Sequence, residues 1–137
     1  MVETPDELVG LDELLLRSDA VFVTLPLTPR TRDLISFKQF DLMKKSAYLI
    51  NVARGPIVNQ EALYNALKNF RIAGAAIDVW YDDPSFPFHG LDNIVLSSYR
   101  AGYVRNDSPH LWDTVKNLKL FAEGEEPINA IDIEKGY

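Results

Sequence analysis

The chain has 137 residues, of which 47% are hydrophobic, 25% charged and 11% aromatic, proportions that exclude a disordered tail, a fibrous repeat or a low-complexity linker. With 20 acidic against 14 basic residues the net charge is −6 and no basic stripe is present to follow phosphates, so nucleic acid is not an expected partner. Zero cysteines and two distant histidines, His89 and His110, argue against a disulfide framework, thiol chemistry or a metal site.

No apolar stretch reaches the roughly 18 residues that span a bilayer. The opening Met1-Val2-Glu3-Thr4-Pro5-Asp6-Glu7 is acidic where a secretory signal is basic and then apolar. A cytoplasmic chain without membrane contact, folded as a single domain over 1–137, is expected.

Two periods alternate along the chain. Leu11 to Arg17 has helical spacing, and Ala20-Val21-Phe22-Val23-Thr24 reads as a short buried strand. Ser36-Phe37-Lys38-Gln39 has the capping-box pattern, which predicts a helix over about 37–44, with Lys44-Lys45 complementing its C-terminus. Ala47 to Val52 is a second strand. Asn59 caps a helix whose Leu63, Ala66, Leu67 and Phe70 make one apolar face. Ile72 to Ile77, rich in Ala and Gly, is a third strand packed closely by its neighbours, and Asn93 to Leu96 is a fourth. Ser108-Pro109 opens a last helix of about 109–122 that ends near Gly124. Continuous apolar strands separated by helices indicate an α/β fold: a doubly wound parallel sheet with helices on both faces.

In such sheets the ligand crevice lies outside the carboxyl ends of the strands. After the first strand comes Leu25-Pro26-Leu27-Thr28, after the second Asn51-Val52-Ala53-Arg54-Gly55, after the third Asp78-Val79-Trp80-Tyr81-Asp82-Asp83-Pro84, and after the fourth Ser97-Ser98-Tyr99-Arg100-Ala101-Gly102. Together with Ser18-Asp19 and Leu49-Ile50, these segments make the chain resemble the D-isomer-specific 2-hydroxyacid dehydrogenases. The likeness runs from about Leu11 to the C-terminus.

The resemblance implies a partial Rossmann-like sheet that lacks its first βαβ half, with 11–124 as the second half of an NAD-binding domain and 125–137 as a C-terminal tail. It implies NAD as cofactor and a small 2-hydroxy or 2-oxo acid as substrate. Arg54 stands where the family holds the substrate carboxylate and carbonyl, a task suited to a planar fork of donors that stays charged; by itself it is also an ordinary turn arginine. Asp78 matches the aspartate near the nicotinamide carboxamide, although an Asp closing a strand is often a cap or turn residue. Asp83, before Pro84, matches the acid that pairs with the catalytic histidine. Leu25, Pro26, Val52, Ala53 and Gly102 match positions lining the cofactor.

The sequence departs from this family at two points. Tyr99 stands where the family has a histidine that gives and takes the proton at the substrate oxygen; a phenol keeps its proton near neutrality, so tyrosine is a poor base there but still a donor. The glycines, at 10, 55, 74, 90, 102, 124 and 136, are never closer than 12 residues, so no dinucleotide fingerprint of glycines two and five apart exists in the chain. The acidic ribose-binding residue and the substrate domain are missing too.

Half a sheet leaves an open edge, which favours pairing with a second copy, with another polypeptide carrying the missing half, or with the rest of a longer enzyme. Two functions follow: part of a 2-hydroxyacid oxidoreductase with Arg54, Asp83 and Tyr99 at its reacting centre, or a non-catalytic binding or assembly module descended from one.

Overall fold

The computed structural model describes residues 8–81, 85–102 and 109–130. Asp83 and the Ser108 cap lie outside the described residues, as does the side chain of His110. The chain divides into two compact units, Met1–Tyr99 and Arg100–Tyr137, which are taken separately here.

The first unit contains α1 (Leu11–Arg17), β1 (Ala20–Val23), α2 (Phe37–Leu42), β2 (Tyr48–Asn51), α3 (Gln60–Lys68), β3 (Gly74–Ile77) and β4 (Ile94–Leu96), with 3-10 turns at Gly55–Ile57 and Phe88–Gly90. Its strands form one parallel sheet in the order β1-β2-β3-β4, so β1 and β4 are the edges. The expected α/β architecture is present.

Strand register decides which face is covered. Val21 lies opposite Leu49 and Leu49 opposite Ala75, while Val23, Asn51 and Ile77 form the next row. All six are buried, under Leu15 of α1, Phe40 of α2, and Leu63 and Leu67 of α3. Each large apolar side chain removed from water in this layer contributes about 1.5–3 kcal/mol. The row between them, Phe22, Ile50, Ala76 and Val95, points the other way, and Phe22 and Val95 are 66% and 68% exposed. Among the described residues of this unit, α1, α2 and α3 therefore cover one face. Sequential parallel strands joined by right-handed crossovers deliver every helix to the same side, and α2 packs against both α1 and α3.

Local chemistry explains most of the element ends. The Ser36 N–H donates to Gln39 Oε1 at 3.2 Å, which is one half of the capping box. α2 stops at Leu42, two residues short of the expected end, because Met43 turns extended and is buried in the core while Lys44 pairs with Asp19 at 2.8 Å. Asn59 Oδ1 accepts from the Ala62 N–H at 2.9 Å and so caps α3. At Gly74 an added Cβ would lie 2.7 Å from the Asn93 carbonyl oxygen, with the Tyr48 ring at 3.2 Å, which accounts for the small residues of β3.

α3 ends in a Schellman motif: the Arg71 N–H reaches the Ala66 carbonyl at 2.8 Å and the Phe70 N–H reaches that of Leu67 at 3.1 Å. The residue carrying the left-handed turn is Phe70, with φ of 51°, where glycine is the usual occupant. Arg71 then returns to the end of α2, donating to the Met43 carbonyl at 2.8 Å and to that of Asp41.

In the second unit α4 (Pro109–Glu123) closes with the same motif, but with Gly124 at φ of 74° in the left-handed position; the Glu125 N–H bonds the Leu120 carbonyl at 2.9 Å. Asn117 then pins the following segment by accepting from the Ile128 N–H at 2.7 Å and donating to the Ile128 carbonyl at 3.1 Å. Among the described residues, no helix is long and apolar enough to cross a membrane.

Two predictions concern stability. Phe70 is 69% exposed, so its ring buries little, and Phe70→Gly is expected to relieve the left-handed strain and raise unfolding free energy by about 1 kcal/mol in urea titration; an unchanged or lowered midpoint would contradict this. The Tyr81 hydroxyl is buried without a hydrogen-bond partner among the described residues, and burial, reinforced by the Asp33 carboxylate, pushes its pKa well above the ordinary tyrosine value. Its protonated form is thus favoured by the fold. Stability tied to Tyr81 is complete below the unfolded pKa of about 10 and declines as pH rises above it. Urea midpoints at pH 8 and pH 11 should fall less in Tyr81→Phe than in the unaltered chain, and an equal fall would rule out this origin.

Candidate active site

The loops that follow the strands are joined by backbone hydrogen bonds that extend the ladder beyond the strand ends. The Val52 N–H donates to the Val23 carbonyl at 3.4 Å, that of Asp78 to the Asn51 carbonyl at 3.0 Å, and that of Tyr99 to the Asp78 carbonyl at 2.8 Å. The β1, β2, β3 and β4 ends thus share one bonded row at the carboxyl edge of the sheet. Every cluster singled out in the first unit's sequence, apart from the undescribed Asp83, attaches to this row.

The β1 loop is held by two hydroxyls. Thr31 Oγ1 donates to the Pro26 carbonyl at 2.7 Å and accepts from the Thr28 N–H at 2.7 Å, which fixes the turn that presents Leu25 and Pro26. Both are exposed.

The β2 loop is organised by Asn51, whose side chain is completely buried. Its Oδ1 accepts from the Ala53 N–H at 3.1 Å, and its Nδ2 donates to the Arg54 carbonyl at 3.0 Å. Ala53 is buried, while Val52 and Arg54 are exposed. The Arg54 guanidinium donates from Nη1 to the Ala53 carbonyl at 2.7 Å. No ion pair involves it among the described residues. At Gly55 an added Cβ would sit 2.4 Å from the Trp80 carbonyl oxygen, so only glycine allows the β2 loop to lie directly on the β3 loop.

Asp78 is 6% exposed and accepts a hydrogen bond from Ser97 Oγ through Oδ1. It is thus tied to the β2 loop by its N–H, to Tyr99 by its carbonyl and to Ser97 by its carboxylate. Tyr99 sits at φ of 51° with its ring 62% exposed. A non-glycine residue in the left-handed region costs about 1–3 kcal/mol and is typical of sites whose surroundings over-determine the backbone.

Arg54, Asp78, Tyr99, Val52 and Ala53 are therefore joined through one network, with Leu25 and Pro26 on the adjoining loop. Gly102 belongs to the second unit, where it is exposed. Asn51 and Ser97 are the contributors that the sequence reading passed over as motif background. Their only signal is that each is a hydrogen-bonding residue at the end of a buried strand. A separate hollow of about 340 Å³ is lined by Arg32, Asp33, Asn59, Glu61, Tyr81 and Phe86 among others, and by none of the residues just named. Among the described residues no group of three or more His, Cys, Asp or Glu is placed to hold a metal ion.

Comparison with known proteins agrees with this geometry. The family described as D-isomer specific 2-hydroxyacid dehydrogenase, NAD binding domain, matches residues 2–101. A glyoxylate reductase from Thermofilum pendens is 43% identical over 125 residues, covering 88% of this chain and 37% of the relative. A second glyoxylate reductase, from Aeropyrum pernix, is 40% identical over 129 residues, covering 91% of this chain and 38% of the relative. Among solved structures, a D-isomer specific 2-hydroxyacid dehydrogenase from Xanthobacter autotrophicus Py2, in complex with NADPH and MES, superposes with a TM-score of 0.79 at 34% identity, covering 93% of this chain and 53% of that one. The NAD-complexed enzyme of the same description from Lactobacillus delbrueckii ssp. bulgaricus gives 0.74 at 30%, covering 90% and 43%. The sheet is thus Rossmann-like, and the chain spans less than half the length of these curated relatives. The chain belongs to the D-isomer specific 2-hydroxyacid dehydrogenase family, matching its NAD-binding domain.

Proposed function

We propose that the chain forms the nicotinamide-side and substrate-side part of a cytoplasmic oxidoreductase acting between NAD(H) and a 2-hydroxy or 2-oxo acid, with residues 11–124 as the second half of the cofactor domain. The observation that carries this reading is Asp78, a buried carboxylate in the bonded row that also holds the Arg54 and Tyr99 loops. Such an acceptor fits the amide N–H of a nicotinamide carboxamide, and Leu25, Pro26, Val52 and Ala53 are read as the cofactor-lining positions of the first unit, with Gly102 matching such a position by motif alone. No two glycines lie close enough for the dinucleotide fingerprint, so any contact to the pyrophosphate comes from outside such a turn. When bound, the nicotinamide supplies or removes the hydride.

The chain's own residues do the rest. Arg54 binds the substrate carboxylate through its planar fork and so orients the carbonyl. Tyr99 donates its hydroxyl proton to the carbonyl oxygen, and Asp83 is assigned, by its match to the family motif, as the carboxylate partner of that donor. A proton donor placed in hydrogen-bond reach contributes typically about 10²–10⁴ in rate. The exposed ring of Tyr99 also supports a second reading, in which the site binds ligand without turnover and the chain serves as an assembly module.

Completion of the sheet belongs to either reading. β1 is an edge strand and its own Phe22 is exposed, so a second copy, another polypeptide or the rest of a longer enzyme is expected to pair there. Light scattering at micromolar concentration should give a species heavier than 15.5 kDa, and a strictly monomeric solution would count against self-pairing.

Saturation-transfer NMR with NADH tests the ligand assignment. The nicotinamide protons should receive saturation and the adenine protons should not, and Asp78→Asn should weaken the effect about tenfold or more, as expected for a lost hydrogen bond to a charged group. No transfer at millimolar NADH, or transfer to adenine alone, would remove this reading.

A further inference from the structure

We infer that Asn51 is the positioning residue for Arg54: its carboxamide clamps the turn that presents the guanidinium and fixes that turn to Asp78. The role rests on the reading of Arg54 as the carboxylate-binding group. Three observations carry it.

First, Asn51 is completely buried, one of two buried polar side chains among the described residues, and both ends of its amide are engaged. Only one orientation satisfies both partners, since a backbone N–H demands the oxygen and a backbone carbonyl demands the nitrogen. Second, the two bonded groups are the Ala53 N–H and the Arg54 carbonyl, which flank the peptide link into Arg54. Third, the Asn51 carbonyl accepts from the Asp78 N–H at 3.0 Å, so the same residue sets the Arg54 turn and the β3 end against each other. The lid of this arrangement is Gly55, held against the Trp80 backbone where no side chain fits. Aspartate has the same shape but offers an ionised oxygen to the Arg54 carbonyl, and serine cannot reach both groups at once.

The test uses oxalate, a dianion with the carboxylate geometry of a small 2-oxo acid, titrated calorimetrically into the unaltered chain, Arg54→Ala and Asn51→Asp at pH 8 and pH 5.5. In Asn51→Asp the affinity should fall about tenfold at pH 8, where a carboxylate faces a carbonyl. It should recover at pH 5.5, because a buried carboxyl titrates above its ordinary range and its proton restores the donor to Arg54. The unaltered chain should lack that recovery. A merely structural defect would not reverse on acidification, so equal affinity at both pH values, whether full or reduced, overturns the inference.

A measurement without substitution covers the remaining cases. In the unaltered chain a scalar coupling should be detectable across the Asn51 Nδ2–H to Arg54 carbonyl hydrogen bond. Its presence supports the inference even if Asn51→Asp does not fold, and its absence overturns it. If the unaltered chain and Arg54→Ala both ignore oxalate, the reading of Arg54 fails, and the coupling alone decides whether Asn51 sets that turn.

Discussion

The hydrogen bond from the Asp78 N–H to the Asn51 carbonyl is the joint on which the rest of the site depends. It continues the β2–β3 ladder one residue past the strands, at the point where both chains leave the sheet for the crevice. From Asn51 the side chain fixes the Arg54 turn, and from Asp78 the carbonyl fixes Tyr99 while the carboxylate holds Ser97. Each bond adds about 0.5–1.5 kcal/mol net, but leaving any of these buried groups unpaired costs more, about 1–3 kcal/mol. A network of that kind is rigid because partial versions of it are penalised.

The same sheet is unfinished on the side away from the helices. Four sequential parallel strands place α1, α2 and α3 on one face, and the row Phe22, Ile50, Ala76 and Val95 is left on the other within the first unit. The carboxyl edge, by contrast, is organised by hydrogen bonds among the described residues. The helix-covered core and the bonded row at the carboxyl edge thus lie on different parts of the first unit.

Much of this was legible in the sequence, and the exceptions have physical causes. Helix spacing located α1 and α3, the Asn59 cap was visible, and the apolar runs gave all four strands. A run such as Ala20-Val21-Phe22-Val23 cannot reveal that Phe22 faces outward, because a four-residue apolar strand has the same appearance whether one face or two are covered. The end of α3 was hidden by Phe70, which occupies a turn that glycine would have announced and was read instead as part of the helix's apolar face. Arg54, Asp78 and Tyr99 are proposed from motif, and the structure joins them through one hydrogen-bonded row. Asn51 was not given a role, because an asparagine after a strand looks like any turn residue until its two partners are seen. Tyr81 carried no signal at all, since its burial depends on Phe88 stacking 6.1 Å away and on the closure of the Gly55 turn.

On the function proposed above, the ligands meet the row linking Asn51, Asp78 and Tyr99. Amide shift mapping of the chain with NAD and oxalate together tests it most directly. The account predicts perturbations concentrated at Ala53, Arg54, Asp78, Ser97 and Tyr99. Perturbations centred on Asp33, Glu61 and Phe86, around the neighbouring hollow, or none at saturating ligand, would contradict it.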